Sequence, residues 1–137
     1  MPTDIQKERL RALTADLRSG KHKQVKHLMQ TSSGFCCLGR ACDLSGLGKW
    51  VESYSAATDH PELFYIVDGR LGSELNLPVD VQDWYGFKSA GGFSVSTWRI
   101  DHSDGTRKII YQTLGSLNDD GLTFSQIADI IDWEYAL

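Results

Sequence analysis

The chain has 137 residues, a formal net charge of −4, 41% hydrophobic and 23% charged residues. That is the length of one domain, enough to bury about two-thirds of the unfolded surface, with a globular composition. It excludes a membrane-spanning chain, a secreted disulfide scaffold, a coiled coil and a multidomain enzyme.

The start, MPTDIQKERLRAL, carries both charge signs and lacks the apolar core of a signal peptide. Thr3 or Asp4 can cap a first helix, whose apolar face is Ile5, Leu10, Leu13 and Leu17 and whose stop is Gly20. KHKQVKHLMQT leans towards a short strand, with TSSG as a turn after it. FCCLGRACDLSG reads as a second helix capped by Ser33. Phe35, Leu38, Ala41, Cys42 and Leu44 are its apolar positions and Gly46 its end. Residues 47–77 are irregular apart from a strand at 63–67, which runs into the hairpin dipeptide Asp68-Gly69. LPVDVQDWYGF predicts a short helix with Pro78 in its first turn and Gly86 after it. GFSVSTWRID alternates as a strand and HSDG turns the chain. In KIIYQTLGSL, Ile110, Leu114 and Leu117 favour a helix over a returning strand. Thr123 and Gln126 form a capping box with Leu122 and Ile127 at the staple positions, so a helix spans about 124–135. Its apolar stripe is Ile127, Ile130, Ile131 and Trp133. The expected fold is α+β, a compact single domain of four or five helices with one small β-hairpin or sheet.

Charge is unevenly spread. Residues 1–50 hold nine Lys/Arg and four Asp/Glu, whereas 51–137 hold five and fourteen. The densest basic stretch is Arg18, Lys21, His22, Lys23, Lys26 and His27. Such a stretch meets an anionic ligand or pairs with the acidic half of the same chain. Overall acidity argues against nucleic acid as a partner.

Three cysteines, two of them adjacent, make a poor disulfide framework. Reduced thiols, at least two of them buried, and a cytoplasmic location are expected. Cys36 and Cys37 fall in the first turn of a predicted helix, where a thiolate is stabilised. The order Cys36, His102, Asn118 is that of papain-like enzymes, with Gln30 upstream as an oxyanion donor, but the local signature of those enzymes is absent. The CC-x4-C spacing has no matching histidine, so no metal is expected, and no cofactor motif is present. Asn118-Asp119-Asp120-Gly121 either serves a chain reversal or turns Asn118 and Asp119 towards the Cys36–Asp43 helix or Gln24. Of the large rings, Trp50, Tyr54, Trp84, Tyr85, Trp98 and Trp133, most belong in the core. Trp50 or Tyr54 is placed to stack on a base or sugar.

Three runs carry a resemblance: LRSGKHKQVKHLMQTSSGFCCLGRACDLSG, LPVDVQDWYGF and LGSLNDDGLTFSQIADIID. Together they resemble a group of small uncharacterised proteins of phage genomes, prophages and bacterial chromosomes. The matching positions are Gln24, Gly34 to Gly39, Cys42, Asp43, Leu77, Pro78, Trp84, and Leu117 to Asp129. His102 is not among them. The resemblance implies a phage or prophage setting. The resulting expectation is a non-enzymatic accessory protein that binds a host protein or a small anionic, nucleotide-like ligand as a counter-defence inhibitor or sponge. Its expected site is Arg18, Lys21, Lys23, Gln24, Lys26, Trp50, Asn118 and Asp119. The rival is a cysteine-dependent hydrolase or transferase using Cys36 or Cys37.

Overall fold

Helix α1 (Asp4–Arg18) opens on a reciprocal cap: Thr3 accepts from the Gln6 backbone and the Gln6 side chain accepts from Thr3. Leu10, Leu13 and Leu17 recur at helical spacing and are fully buried, whereas Ile5, expected on that face, is exposed. These residues belong to a computed structural model that describes residues 1–53, 62–70 and 74–137, with the backbone alone at 53, 98 and 99.

The segment after α1 holds less strand than expected. Only Gln30–Thr31 (β1) enters a ladder, paired with Gly34–Phe35 (β2) across the Ser32-Ser33 turn. Residues 23–29 instead lie along β2 and the next helix. Val25 N–H donates to Phe35 O at 2.8 Å, Phe35 N–H to Lys23 O at 2.9 Å and Cys36 N–H to Met29 O at 2.9 Å. Two glycines permit this approach: a Cβ on Gly34 would sit 2.1 Å from Lys23 O, and one on Gly39 1.8 Å from Met29 O.

Helix α2 (Cys37–Ser45) therefore starts later than expected. Ser33 is held in the turn by Thr31, and Cys36 is the N-cap, its thiol accepting from Gly39 N–H at 3.4 Å. Leu38, Ala41 and Cys42 are buried, Phe35 lies in β2 rather than in the helix, and Gly46 closes α2 at φ 66°. Lys49–Ser53 (β3) pairs antiparallel with Glu62–Ile66 (β4), bringing Trp50 opposite Tyr65. The strand expected at 63–67 is thus present one residue earlier, and its partner comes from a stretch read as irregular. Asp68 and Gly69 both take positive φ, but they end β4, whose partner precedes it, instead of joining it to a following strand. Tyr54 lies outside the described residues.

Helix α3 (Val79–Tyr85) has Pro78 at its N-cap rather than inside its first turn, and ends at Gly86. Ser94–Ile100 (β5) and Arg107–Thr113 (β6) form a regular antiparallel ribbon. The stretch 108–117, expected as a helix, is strand first and helix only from Leu114. Cross-strand pairing takes 107–113, and Thr113 then caps α4 (Leu114–Asp119) through Ser116 N–H. Helix α5 (Phe124–Tyr135) carries the expected Thr123–Gln126 capping box. Ile127 and Ile131 are fully buried against α1, while Trp133, expected in the stripe, faces outward.

The described residues form an α+β fold with five helices and three two-stranded antiparallel sheets. One core joins α1, α2, α3 and α5 through Leu10, Leu13, Cys42, Val81, Tyr85 and Ile131. No helix among them is long and apolar enough to cross a membrane.

Candidate functional site

Two side-chain amides organise the region where the basic segment, α2 and α5 meet. Asn118 is fully buried. Its Oδ1 accepts from Cys37 N–H at 3.1 Å and from Gln24 Nε2 at 2.8 Å, and its Nδ2 donates to Val25 O at 2.9 Å. Gln24 Nε2 also donates to Leu122 O at 2.7 Å, and Gln24 Oε1 accepts from Phe124 N–H at 3.0 Å. Cys37 and Phe124 are the first residues of α2 and α5, whose N–H groups have no partner inside their helices. Each amide therefore caps a helix from a distant part of the chain. Asp119 does similar work: its Oδ1 accepts from His27 N–H at 2.8 Å and fixes that residue at φ 74°.

This frame displays the basic segment. Lys21, Lys23, Lys26 and His27 are exposed. The three lysines make no ion pair among the described residues, whereas Arg18 is bound to Asp129 at 2.7 Å and Asp132 at 2.6 Å. Those two carboxylates hold the Arg18 charge firmly, above its usual pKa. The His27 ring stands 3.8 Å from Asp119 Oδ2 and borders a groove of about 280 Å³. Cys36, Leu38, Thr113, Ser116 and Asp119 line the same groove.

The side chains of the rival thiol site do not come together. Burial pushes the Cys36 thiol up to about 11, against the smaller opposing effect of Gly39 N–H, so it is neutral near pH 7. Burial raises Cys37 and Cys42 well above the ordinary thiol value too, and all three cysteines are free and buried. His102 lies in the turn beyond β5, at the far end of the ribbon from Thr113, about 20 Å away at the usual strand rise. Asn118 faces the Cys37 backbone instead of a histidine. Among the described residues, no three His, Cys, Asp or Glu side chains gather as metal ligands.

Trp50 is engaged rather than free. Its Nε1 donates to Asp43 at 3.1 Å, and its ring meets Phe35 and Tyr65 edge to face, with centroids 6.0 and 5.0 Å away. Sequence reasoning passed over the residue at the centre of this cluster. The Arg40 side chain is buried, donates twice to Asp16 at 2.8 Å and once to Asp43 at 2.7 Å, and lies over the Phe35 ring. Burial works against its charge, and the two carboxylates more than compensate. A single arginine inside the otherwise uncharged run from Phe35 to Cys42 was the available signal.

Neither a curated protein nor a solved structure matches this chain. Residues 5–135 match the model of a family described as a domain of unknown function, DUF8296, so the chain belongs to that family.

Proposed function

We propose that the chain is a non-enzymatic accessory protein of phage or prophage type that captures a small anionic, nucleotide-like ligand in the cytoplasm of the host cell. The observation that supports this is the trio Lys21, Lys23 and Lys26. These ammonium groups are exposed and lack ion pairs among the described residues, and Lys23 and Lys26 sit on or beside backbone clamped by Gln24, Asn118 and Asp119. Clamping lowers the ordering cost of binding, and unpaired ammonium groups are point donors for phosphate. Asn118 and Gln24 then position the segment instead of touching the ligand, and Asp119 holds His27. The phage setting rests on the resemblance of the three sequence runs. A host protein as the captured partner, and an inhibitor or sponge as the outcome, belong to the same reading.

The rival cysteine-dependent hydrolase or transferase has less support, because its thiol is buried, neutral and distant from His102. The test is to incubate purified protein with a nucleotide mixture, remove free ligand, denature, and identify what was retained by mass spectrometry. Retention that falls about tenfold or more in a Lys23→Gln/Lys26→Gln double variant of unchanged thermal midpoint is expected. No retained anion, or equal retention by the variant, overturns the reading.

A further inference from the structure

A second surface, on the opposite charge register, lies on α5. Trp133 is 87% exposed. Tryptophan is highly buried on average, and in interfaces it is among the commonest anchors. Around it lies an open cleft of about 630 Å³ bordered by Asp129, Asp132, Ala136 and Leu137. Asp129 precedes Trp133 by four residues, so the two stand on one face of the helix. Residues 124–137 contain no lysine or arginine, and Glu134 adds a further negative charge.

Arg18 does not saturate this surface. A single nitrogen, Nη2, meets Asp129 Oδ1 and Asp132 Oδ2, and the other oxygen of each carboxylate accepts no bond among the described residues. An indole face beside two free carboxylate oxygens fits a planar guanidinium. Such a group stacks on the ring while its edge donates to the carboxylates, which an ammonium cannot do in the same way. The molecule uses this chemistry internally: the Arg9 guanidinium lies 3.4 Å from the Trp84 ring centroid and donates to Trp84 O.

We propose that the Trp133 face of α5 docks a partner protein through an arginine that stacks on the indole and pairs with Asp129 and Asp132. One helix face buries little area, so the contact belongs to the small, transient class of interfaces. The surface is separate from the lysine segment, and its failure would leave the anionic-ligand reading standing.

Fluorescently labelled octa-arginine and octa-lysine peptides, titrated with the full chain at about 150 mM salt, provide the test by anisotropy. Octa-arginine is expected to bind at least about threefold more tightly than octa-lysine. Trp133→Ala is expected to weaken octa-arginine about five- to tenfold and Trp133→Phe by less, because indole is the better cation–π face. Lys23→Gln/Lys26→Gln leaves the peptide affinity unchanged or slightly higher. The thermal midpoint of Trp133→Ala should match the parent, since the side chain is exposed. Equal binding of the two peptides, or an unaffected Trp133→Ala, would reduce the surface to a screened negative charge and overturn the proposal. A dimer in sedimentation that Trp133→Ala dissolves would assign the face to a second copy and overturn it equally.

Discussion

Asn118 shows how one residue joins three segments far apart in sequence. Its amide binds Gln24, Val25 and Cys37, more than 80 positions away, and no solvent reaches it. Truncation leaves the Cys37 N–H, the Val25 carbonyl and part of the Gln24 amide without partners in a buried place. Each orphaned group costs about 1–3 kcal/mol, so Asn118→Ala should destabilise the fold by about 3 kcal/mol, read as a lower urea midpoint. A change below about 1 kcal/mol would mean that water replaces the amide. Asn118→Asp tests the same contacts differently, because it keeps the acceptor for Cys37 and Gln24 but loses the donor to Val25, and it buries a charge. It should be at least as harmful as alanine. The sequence placed Asn118 in a polar cluster that exceeded the needs of a turn, and it named Gln24 and the Cys36–Asp43 helix as the places it would reach. What it could not show is that both ends of that contact are buried, since burial is set by the packing of α4 and α5 over residues 23–29. The structure therefore makes these amides a frame for the candidate site, while the exposed groups beside them are the lysines.

At the scale of elements, the helices legible in the sequence are those with self-contained signals. Helices α1 and α5 carry their own capping boxes and apolar stripes, and both lie where the spacing put them. Thr123→Ala removes one such signal and should cost about 1 kcal/mol, shortening α5 by a turn without unfolding it, because Ile127 and Ile131 stay packed. Far-ultraviolet circular dichroism with a denaturation curve checks both halves of that statement. Helix α2 is the opposite case. Its first residues are capped by a thiol and by an asparagine amide 81 positions away, neither of which is a local Ser, Thr, Asp or Asn cap, so the local pattern points to Ser33 instead. Gly39 exposes the constraint most directly. In an isolated helix, Gly→Ala stabilises by about 1 kcal/mol. Here the added methyl would overlap Met29 O, which also accepts the Cys36 N–H, and rigid backbone stands on both sides. Gly39→Ala should therefore destabilise by several kcal/mol, reversing the sign that helix propensity predicts, roughly as for an overpacked core. A midpoint equal to or above the parent's would show that residues 23–29 can move away from α2.

Across the whole molecule, the three thiols and Tyr85 tie stability to alkaline pH. All four are buried in the core that joins α1, α2 and α3, and burial raises every one of them, Cys36 to about 11 and Cys37, Cys42 and Tyr85 well above their ordinary values. In the unfolded chain the thiols ionise near their ordinary value of about 8.5. A raised folded pKa means that the folded state keeps its proton where the unfolded state has released it. The stabilisation is then complete below about pH 8.5 and is lost as pH climbs towards the folded values, with a slope of about 1.4 kcal/mol per pH unit for each thiol. Unfolding free energy should be nearly flat from pH 7 to 8 and fall by roughly 3 kcal/mol or more by pH 10, since several groups act together. The same burial predicts slow alkylation of the native thiols by iodoacetamide near neutral pH and release of all three on denaturation. The two measurements bear on one cause but fail independently. Fast labelling of one thiol with a steep pH profile would single out Cys36, which borders the groove, as locally accessible while Cys37 and Cys42 stay closed. A flat profile from pH 7 to 10 would show that the core admits a thiolate, and with that the case against Cys36 as a nucleophile would lose its physical basis.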